Sequence, residues 1–274
     1  MPELPEVETV AKALHKALRG RVVRGARFLG RLRRPFDEKV VAKALAGRKI
    51  VAVRRRAKYL IVEFDGKEAM LAHLGMTGFF HIERAEFPLL KHDRVALALD
   101  RGDELRFADA RRFGFVEIVP LPGPGGCPEE LAGLGLEPLE RGFTARSLLD
   151  LARGRSSPVK VFLMDQRRVV GVGNIYASEA LYRARIDPRR PAGGLDAAEW
   201  KRLAAAVRAV LREALRAGGS TIRNYRGVDG SEGSFQRRLR IYGRGGENCS
   251  ECGTAVAVLR QGGRSTFYCP SCQH

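Results

Sequence analysis

Apolar residues near the start of the chain recur with the spacing of an amphipathic helix, in which positions i, i+3, i+4 and i+7 share one face. The pattern predicts a helix over residues 5–19, with Pro5 in its first position and Gly20 at its end. A shorter helix is predicted over 38–46, with Asp37 as its N-cap. The apolar stripe of the first helix consists of Val7, Val10, Ala11, Leu14 and Leu18.

Between residues 22 and 119 the pattern changes to short segments, several of which alternate apolar with polar residues. Such segments predict β-strands, and turn signals such as Asp65-Gly66 separate them. Seven or eight short strands in succession favour a sandwich or a barrel. The predicted strands are VVRGARFLG, KIVAVRRR, YLIVEF, AMLAHLG, RVALALD, ELRFAD and FGFVEIV.

The segment PLPGPGG at residues 120–126 is the clearest linker in the chain, and helical patterns follow it. Asp196 and Glu199 have capping-box spacing at the start of the longest predicted helix, residues 197–217. Other helices are predicted over 144–153, directly after Pro158 and over 174–185. The chain is therefore predicted to adopt an α+β fold of two domains, an N-terminal β-sandwich flanked by helices and a C-terminal helical domain.

The chain of 274 residues is strongly basic, with 49 Lys and Arg against 31 Asp and Glu and a formal net charge of +18. Its basic residues cluster in runs such as RLRR (31–34), RRR (54–56) and RRLR (237–240). This charge favours nucleic acid as a partner over the alternative of a merely solvated basic surface. The sequence has no apolar stretch near the roughly 18 residues of a membrane span and no secretory signal, so we expect a cytoplasmic protein of bacterial type with no membrane partner.

Four cysteines lie close to the C-terminus in two pairs, Cys249-x2-Cys252 and Cys269-x2-Cys272. This spacing is typical of a zinc ribbon, in which each pair supplies two thiolates to one tetrahedral Zn²⁺. Four thiolates close the coordination sphere, so the single zinc ion would be structural. The alternative, two disulfides, needs an oxidising compartment that nothing in the sequence indicates.

Pro2 follows Met1, and removal of the initiator methionine would leave Pro2 with a free secondary amine. Roughly a tenth of α-amino groups are unprotonated at pH 7, and such an amine can attack an electrophilic carbon and form an iminium ion. The alternative is that Pro2 only directs the backbone into the first helix.

Three glutamates lie close to this amine in the sequence, and their helical angles separate them. Glu8 lies on the polar side, four residues before Lys12, whereas Glu6 lies at the margin of the apolar stripe. Glu3 is expected to precede the helix, because Leu4 comes before a proline and is disfavoured in helical geometry. A partly buried Glu3 or Glu6 can act as a general acid, but acidic residues in a first turn also stabilise a helix. Spacing alone leaves both roles open.

Six motifs, in this order, resemble those of the bacterial formamidopyrimidine-DNA glycosylases, which excise 8-oxoguanine and ring-opened purines. The motifs are PELPEVE (2–8), RRRAKYL (54–60), HLGMTG (73–78), DARRFG (109–114), VVGVGNIYASEAL (169–181) and GGRSTFYCPSCQ (262–273). The likeness runs from residue 2 to the last cysteine.

The resemblance implies a bifunctional glycosylase and AP lyase that acts on double-stranded DNA containing oxidised bases or abasic sites. Pro2 would attack the C1′ carbon of the damaged nucleotide, Glu3 would act as the acid, and Glu6 would support the site. Lys58 would complete the catalytic set by contacting a phosphate near the lesion. The base would leave, and β- then δ-elimination would cut the strand.

Excision requires the damaged base to leave the stack, and the resemblance assigns three residues to the resulting gap. Phe113 would wedge between base pairs, Met76 would fill the void, and Arg111 would face the widowed cytosine. Further DNA contacts implied by the resemblance are His73, Lys160, Asn174, Tyr242 and Arg264.

The resemblance also implies a division into four parts. These are a catalytic β-sandwich (1–120), a linker (121–137), a helix–two-turn–helix domain with a lesion-capping loop (138–235), and a zinc finger (236–274). The loop itself would comprise residues 218–235. We expect a monomer that associates with the nucleoid.

The choice of substrate follows from the same residues. Leu4 and the three gap-filling side chains favour oxidised purines. One alternative is an endonuclease VIII-like glycosylase for oxidised pyrimidines. The other is a non-catalytic zinc-ribbon protein that binds nucleic acid, which would suit the charge and the cysteines but gives no role to Pro2 and Glu3.

Overall fold

The computed structural model describes residues 2–34, 37–220 and 233–274, which fall into two compact units. The first unit is Met1–Ala132 with Gly218–Ser234, and the second is Gly133–Ala217 with Phe235–His274. The first break between the units therefore lies inside the predicted linker. The four-part division stays a prediction.

The first unit contains two four-stranded antiparallel sheets, as the predicted sandwich requires. One sheet has the order β1-β6-β7-β5 and the other β2-β3-β4-β8. The strands are β1 (Val23–Phe28), β2 (Ile50–Arg56), β3 (Tyr59–Phe64), β4 (Glu68–His73), β5 (Phe79–Arg84), β6 (Asp93–Leu99), β7 (Asp103–Ala108) and β8 (Phe115–Pro120). Their inward side chains form one apolar cluster with those of the N-terminal helix.

Strand β5 was missing from the predicted segments. Its sequence FFHIER buries Phe80 but leaves Ile82 only partly covered, so the period-two signal rests on two apolar residues. The strand is defined instead by its hydrogen bonds to β7, which extend from Phe79 to Arg84. A strand specified mainly by its neighbour gives a weak local pattern.

Helix α1 (Leu4–Leu18) packs its apolar stripe against β2 and β3. It begins one residue earlier than predicted, so the expectation that Leu4 lies outside the helix was wrong. Leu4 is fully buried, and Pro5 lies in the first turn of the helix. Proline has no backbone N–H, but N–H groups in a first turn make no intrahelical hydrogen bond, so none is lost there. Burial of the Leu4 side chain outweighs the steric preference of a residue that precedes proline.

Helix α2 (Glu38–Leu45) confirms the predicted N-cap. The Asp37 carboxylate accepts backbone N–H bonds from Lys39 and Val40 at 3.0 and 3.1 Å. These bonds satisfy two of the donors that a helix leaves free at its start.

The second unit packs four helices and a C-terminal hairpin. They are α3 (Ala145–Ala152), α4 (Val159–Met164), α5 (Asn174–Ala184), α6 (Ala197–Arg216), β9 (Ala257–Gln261) and β10 (Arg264–Tyr268). The predicted capping box of α6 is present, since Asp196 and Glu199 exchange bonds of 2.9 and 2.7 Å. Asn174 is the first residue of α5, and Gly173 is its N-cap. Within the described ranges no helix combines the length and apolarity of a membrane span.

Candidate functional site

Glu3 and Glu6 lie buried at the start of α1, with 3% and 2% of their surfaces exposed. They form a capping box, in which the backbone N–H of Glu3 donates to the Glu6 carboxylate at 2.8 Å and the Glu3 carboxylate faces the Glu6 N–H. Glu8, in contrast, is half-buried and pairs with Arg55 at 2.8 Å and Lys12 at 3.6 Å. The first turn therefore holds two desolvated carboxylates directly after the partly exposed Pro2.

Glu6 also binds the backbone that flanks residues 221–232. Its second carboxylate oxygen accepts the N–H of Ser220 at 2.7 Å. Gly219 makes this approach possible, because its φ is +85° and a Cβ atom there would lie 2.8 Å from that oxygen. Ser220 pairs with Ser234 across the base of the segment. Of the predicted lesion-capping loop (218–235), residues 221–232 lie outside the described part of the chain.

Lys58 and His73 lie together at one end of the β2-β3-β4 sheet. Lys58 is 5% exposed in the turn between β2 and β3. Burial, and then the charges of Lys58 and two neighbouring arginines, lowers the pKa of His73 to about 4. The His73 Nδ1 accepts the Gly75 N–H at 3.0 Å, so the neutral ring carries its proton on Nε2. His73 can thus offer a ligand a hydrogen-bond donor without a charge near pH 7.

Met76, Arg111 and Phe113 lie on two turns that touch through their backbones. A Cβ atom on Gly75, whose φ is +61°, would lie 2.4 Å from the Gly114 nitrogen. Met76 and Phe113 are 40% and 45% exposed, and the Arg111 guanidinium lies 4.8 Å from the centre of the Phe113 ring. The structure therefore brings together the three residues predicted to fill the gap in the DNA stack.

Asp109, which sequence reasoning missed, connects these two turns. It is fully buried, and one carboxylate oxygen accepts the Thr77 hydroxyl at 2.6 Å and the Arg111 N–H at 3.1 Å. The other oxygen accepts the Gly114 N–H at 2.8 Å. The sequence did contain a signal for this role, namely an aspartate between the end of a strand and a turn with glycine. The side chain of such an aspartate commonly accepts hydrogen bonds from nearby backbone N–H groups.

Lys160 is buried in the second unit, with 1% of its surface exposed. Its ammonium group donates to the Asn174 side-chain oxygen at 2.6 Å, the Thr266 hydroxyl at 2.7 Å and the Ser265 carbonyl at 3.1 Å. The Asn174 amide donates in turn to the Ser265 carbonyl at 3.0 Å. Lys160 therefore joins α4, the start of α5 and β10, while Arg264, at the start of β10, is exposed.

Glu179 is a second residue that sequence reasoning missed. Its fully buried carboxylate accepts backbone N–H bonds from Arg240, Ile241 and Tyr242 at 2.9–3.0 Å. This contact fixes the backbone that carries Tyr242, whose ring packs edge-on against Phe267. An acid on the otherwise apolar face of YASEAL was the sequence signal.

The four cysteines predicted to bind zinc converge, with all four sulfurs within 4.8 Å of one another. The Cys252 and Cys269 sulfurs are 3.4 Å apart and those of Cys249 and Cys272 are 4.0 Å apart, so none of these pairs is a disulfide. A tetrahedron of Zn–S bonds of about 2.3 Å has edges of about 3.8 Å. The cluster therefore fits one structural Zn²⁺ bound by four thiolates.

Three family models match successive parts of the chain. Residues 1–116 match the formamidopyrimidine-DNA glycosylase N-terminal domain, residues 134–226 the formamidopyrimidine-DNA glycosylase H2TH domain, and residues 246–274 a zinc finger found in FPG and IleRS. Together they cover strands β1 to β7, β9 and β10, helices α1 to α6 and the cysteine cluster.

Individual proteins show the same likeness over the whole chain. A formamidopyrimidine-DNA glycosylase from Paracoccus denitrificans is 48% identical, with all of both chains covered. The crystal structure of the FPG protein from Thermus thermophilus has a TM-score of 0.86 at 41% identity, covering 99% of this chain and 98% of that one. A variant of Lactococcus lactis FPG, in complex with Fapy-dG-containing DNA, has a TM-score of 0.89 at 31% identity with full coverage of both chains.

Proposed function

The chain belongs to the formamidopyrimidine-DNA glycosylase family, and we propose that it excises oxidised purines from double-stranded DNA and then cuts the strand at the abasic site. The observation that carries this proposal is the pair of buried carboxylates, Glu3 and Glu6, directly beside Pro2. Its substrates are 8-oxoguanine opposite cytosine and ring-opened purines, and one structural zinc ion holds the C-terminal ribbon. We also propose that it acts as a monomer and associates with the nucleoid, which its net charge of +18 favours.

The chemistry begins at the amine of Pro2 once Met1 has been removed. The nitrogen attacks the C1′ carbon as the bond from C1′ to the damaged base breaks, and the base leaves with the proton that the Pro2 nitrogen loses. Glu3 supplies a proton to the ring oxygen, so the sugar opens and an iminium ion joins Pro2 to DNA. Loss of a C2′ proton expels the 3′ phosphate, a second elimination expels the 5′ phosphate, and water releases the sugar fragment from Pro2.

Glu6 acts as a positioning residue in this scheme. It binds the Glu3 N–H with one oxygen and the Ser220 N–H with the other, so it holds the start of α1 against the backbone at Ser220. Because both Glu6 oxygens accept backbone hydrogen bonds, this carboxylate is poorly placed to exchange a proton with a substrate. Lys58 and the neutral His73 then offer donors to phosphates near the lesion.

The second unit contributes its own phosphate contacts. Asn174 lies at the N-terminus of α5, where backbone N–H groups and the helix dipole favour an anion. Arg264 and Tyr242 are the other direct contacts proposed in this unit. Lys160 acts through Asn174 and Ser265, because its own donors are engaged within the protein.

The purine specificity can be tested by comparing two duplexes under single-turnover conditions. We expect cleavage of 8-oxoguanine opposite cytosine to be at least about tenfold faster than cleavage of thymine glycol opposite adenine, since Arg111 can pair with a widowed cytosine. The reverse order would favour the endonuclease VIII-like alternative. Binding without cleavage of either duplex would favour the non-catalytic zinc-ribbon protein.

Replacing Asp109 should separate the two turns that carry the gap-filling residues. Asp109→Ala leaves the Gly114 N–H without its acceptor and the Arg111 N–H with only the Thr77 hydroxyl, which we expect to lower the free energy of unfolding by about 3 kcal/mol. Affinity for a lesion-containing duplex should fall about tenfold, because Phe113 and Met76 are no longer held in place. Urea unfolding and fluorescence anisotropy measure the two effects.

Two variants control for general damage in this experiment. Thr77→Val removes one hydroxyl donor to Asp109 and should give an intermediate loss. Asp150→Ala, which removes a half-exposed acid on α3, should leave both quantities unchanged. An Asp109→Ala protein that unstacks a 2-aminopurine reporter beside the lesion as well as wild type would contradict the proposed role.

A further inference from the structure

Helix α5 carries a tyrosine that reaches the cysteine cluster. The Tyr182 hydroxyl lies 3.2 Å from the Cys249 sulfur. Tyr182 and Cys249 are 4% and 3% exposed, and both belong to a small apolar cluster with Ile241, Val256 and Cys269. A phenol stays protonated at neutral pH, and a zinc-bound thiolate is an acceptor, so the hydroxyl donates and the sulfur accepts.

This contact is one of several polar attachments between α5 and the C-terminal segment of the second unit. Asn174 donates to the Ser265 carbonyl, and Glu179 holds residues 240–242. Tyr182, two turns after Asn174, makes the attachment that reaches a predicted metal ligand. The Asn174 and Glu179 side chains bind backbone groups of the C-terminal segment instead.

We propose that Tyr182 is a positioning residue of the zinc centre, whose hydroxyl bond to Cys249 slows the loss of the metal. A thiolate on zinc keeps electron density that a proton or an electrophile can attack, and an O–H donor withdraws part of it. Zinc can leave only as its bonds to the sulfurs break, and the bond from the Tyr182 hydroxyl holds the Cys249 sulfur in the position that the metal requires. The proposal concerns the metal centre and does not depend on excision activity.

A purely structural role for Tyr182 makes a different prediction. Phenylalanine has nearly the same shape, so Tyr182→Phe would preserve packing against Ile241 and Val256 while removing the donor. If Tyr182 only fills space, this variant should hold zinc as wild type does. If the hydroxyl bond matters, zinc release should change without a change in fold.

The first test measures zinc transfer from the full-length, zinc-loaded chain to the chelating dye 4-(2-pyridylazo)resorcinol. We expect Tyr182→Phe to release zinc about tenfold faster than wild type, the lower range for loss of a partner of a metal ligand. Tyr268→Phe is the matched control: it is a buried tyrosine directly before Cys269, and its ring packs against Arg189. A release rate for Tyr182→Phe equal to wild type would overturn the proposal.

The second test reports on the sulfur itself and needs no zinc release. In the cobalt-substituted chain, loss of the O–H bond should shift the thiolate-to-cobalt charge-transfer band to longer wavelength, because the sulfur donates more strongly. Tyr268→Phe should leave the band in place. An unshifted band in a Tyr182→Phe chain that binds one cobalt ion would contradict the proposal, whatever the variant does to stability.

Discussion

A chain that keeps any residue before Pro2 should not excise 8-oxoguanine. Retained Met1 converts the secondary amine of Pro2 into an amide nitrogen, whose lone pair is delocalised and cannot attack C1′. We expect no covalent complex when such a protein is mixed with an 8-oxoguanine duplex and borohydride, whereas the free Pro2 form should be trapped. Denaturing electrophoresis measures the trapped complex, and intact mass shows which N-terminus is present.

The controls separate chemistry from binding. The extended protein should still bind a duplex that contains a tetrahydrofuran abasic analogue, and removal of the extension by a protease should restore trapping. Glu3→Gln should reduce trapping because it removes the acid, whereas Glu8→Gln, which changes a half-exposed pair with Arg55 and Lys12, should not. Trapping of the extended protein at the wild-type level would rule out Pro2 as the nucleophile.

The sequence predicted the features that depend on near neighbours. The apolar stripe of α1, the N-cap of Asp37 and the capping box of Asp196 with Glu199 each depend on residues within a few positions, and the structure confirms them. The cysteine spacing predicted a four-sulfur cluster for the same reason, because each pair forms one local turn. Such local features can be predicted from the sequence, because few backbone conformations are compatible with a given cap or turn.

Contacts between residues far apart in the sequence could not be predicted in this way. The bond from Ser220 to Glu6 spans 214 positions, and nothing at either end specifies the other. Glu3 and Glu6 show the consequence, because their spacing fitted both a catalytic and a capping role. In the structure both carboxylates belong to a capping box and both are buried. Capping the helix is therefore compatible with a role in catalysis.

Burial of polar side chains was equally hard to predict. The family resemblance implied that Lys160 contacts DNA, and the structure places its ammonium group inside the second unit, where it binds Asn174 and Thr266. Asp109 and Glu179 bind backbone N–H groups through buried carboxylates, whereas most acidic residues in a sequence lie at the surface. A buried carboxylate needs several hydrogen-bond donors, and these come together only in the tertiary structure. The sequence alone therefore does not show which acidic residues are buried.

Removal of zinc should lower the affinity for lesion-containing DNA by about two orders of magnitude, roughly 3 kcal/mol. The hairpin β9-β10 leaves much of its surface exposed, and the apolar cluster around the cysteines contains few residues, two of which are the ligands Cys249 and Cys269. Such a small core does not fold without the metal. Loss of the hairpin also removes Arg264 and the Ser265 carbonyl that helps to hold Lys160 and Asn174.

Titration with duplex DNA at several salt concentrations tests this dependence. Metal-free protein, or Cys269→Ser, should bind weakly and with a shallower dependence on salt, because fewer phosphates are neutralised. Cys127→Ser is the matched control, since Cys127 is exposed and lies outside the cluster. Metal-free protein that kept the wild-type affinity and salt dependence would show that the ribbon contributes no phosphate contact, and Arg264 would then have to be withdrawn from the proposed interface.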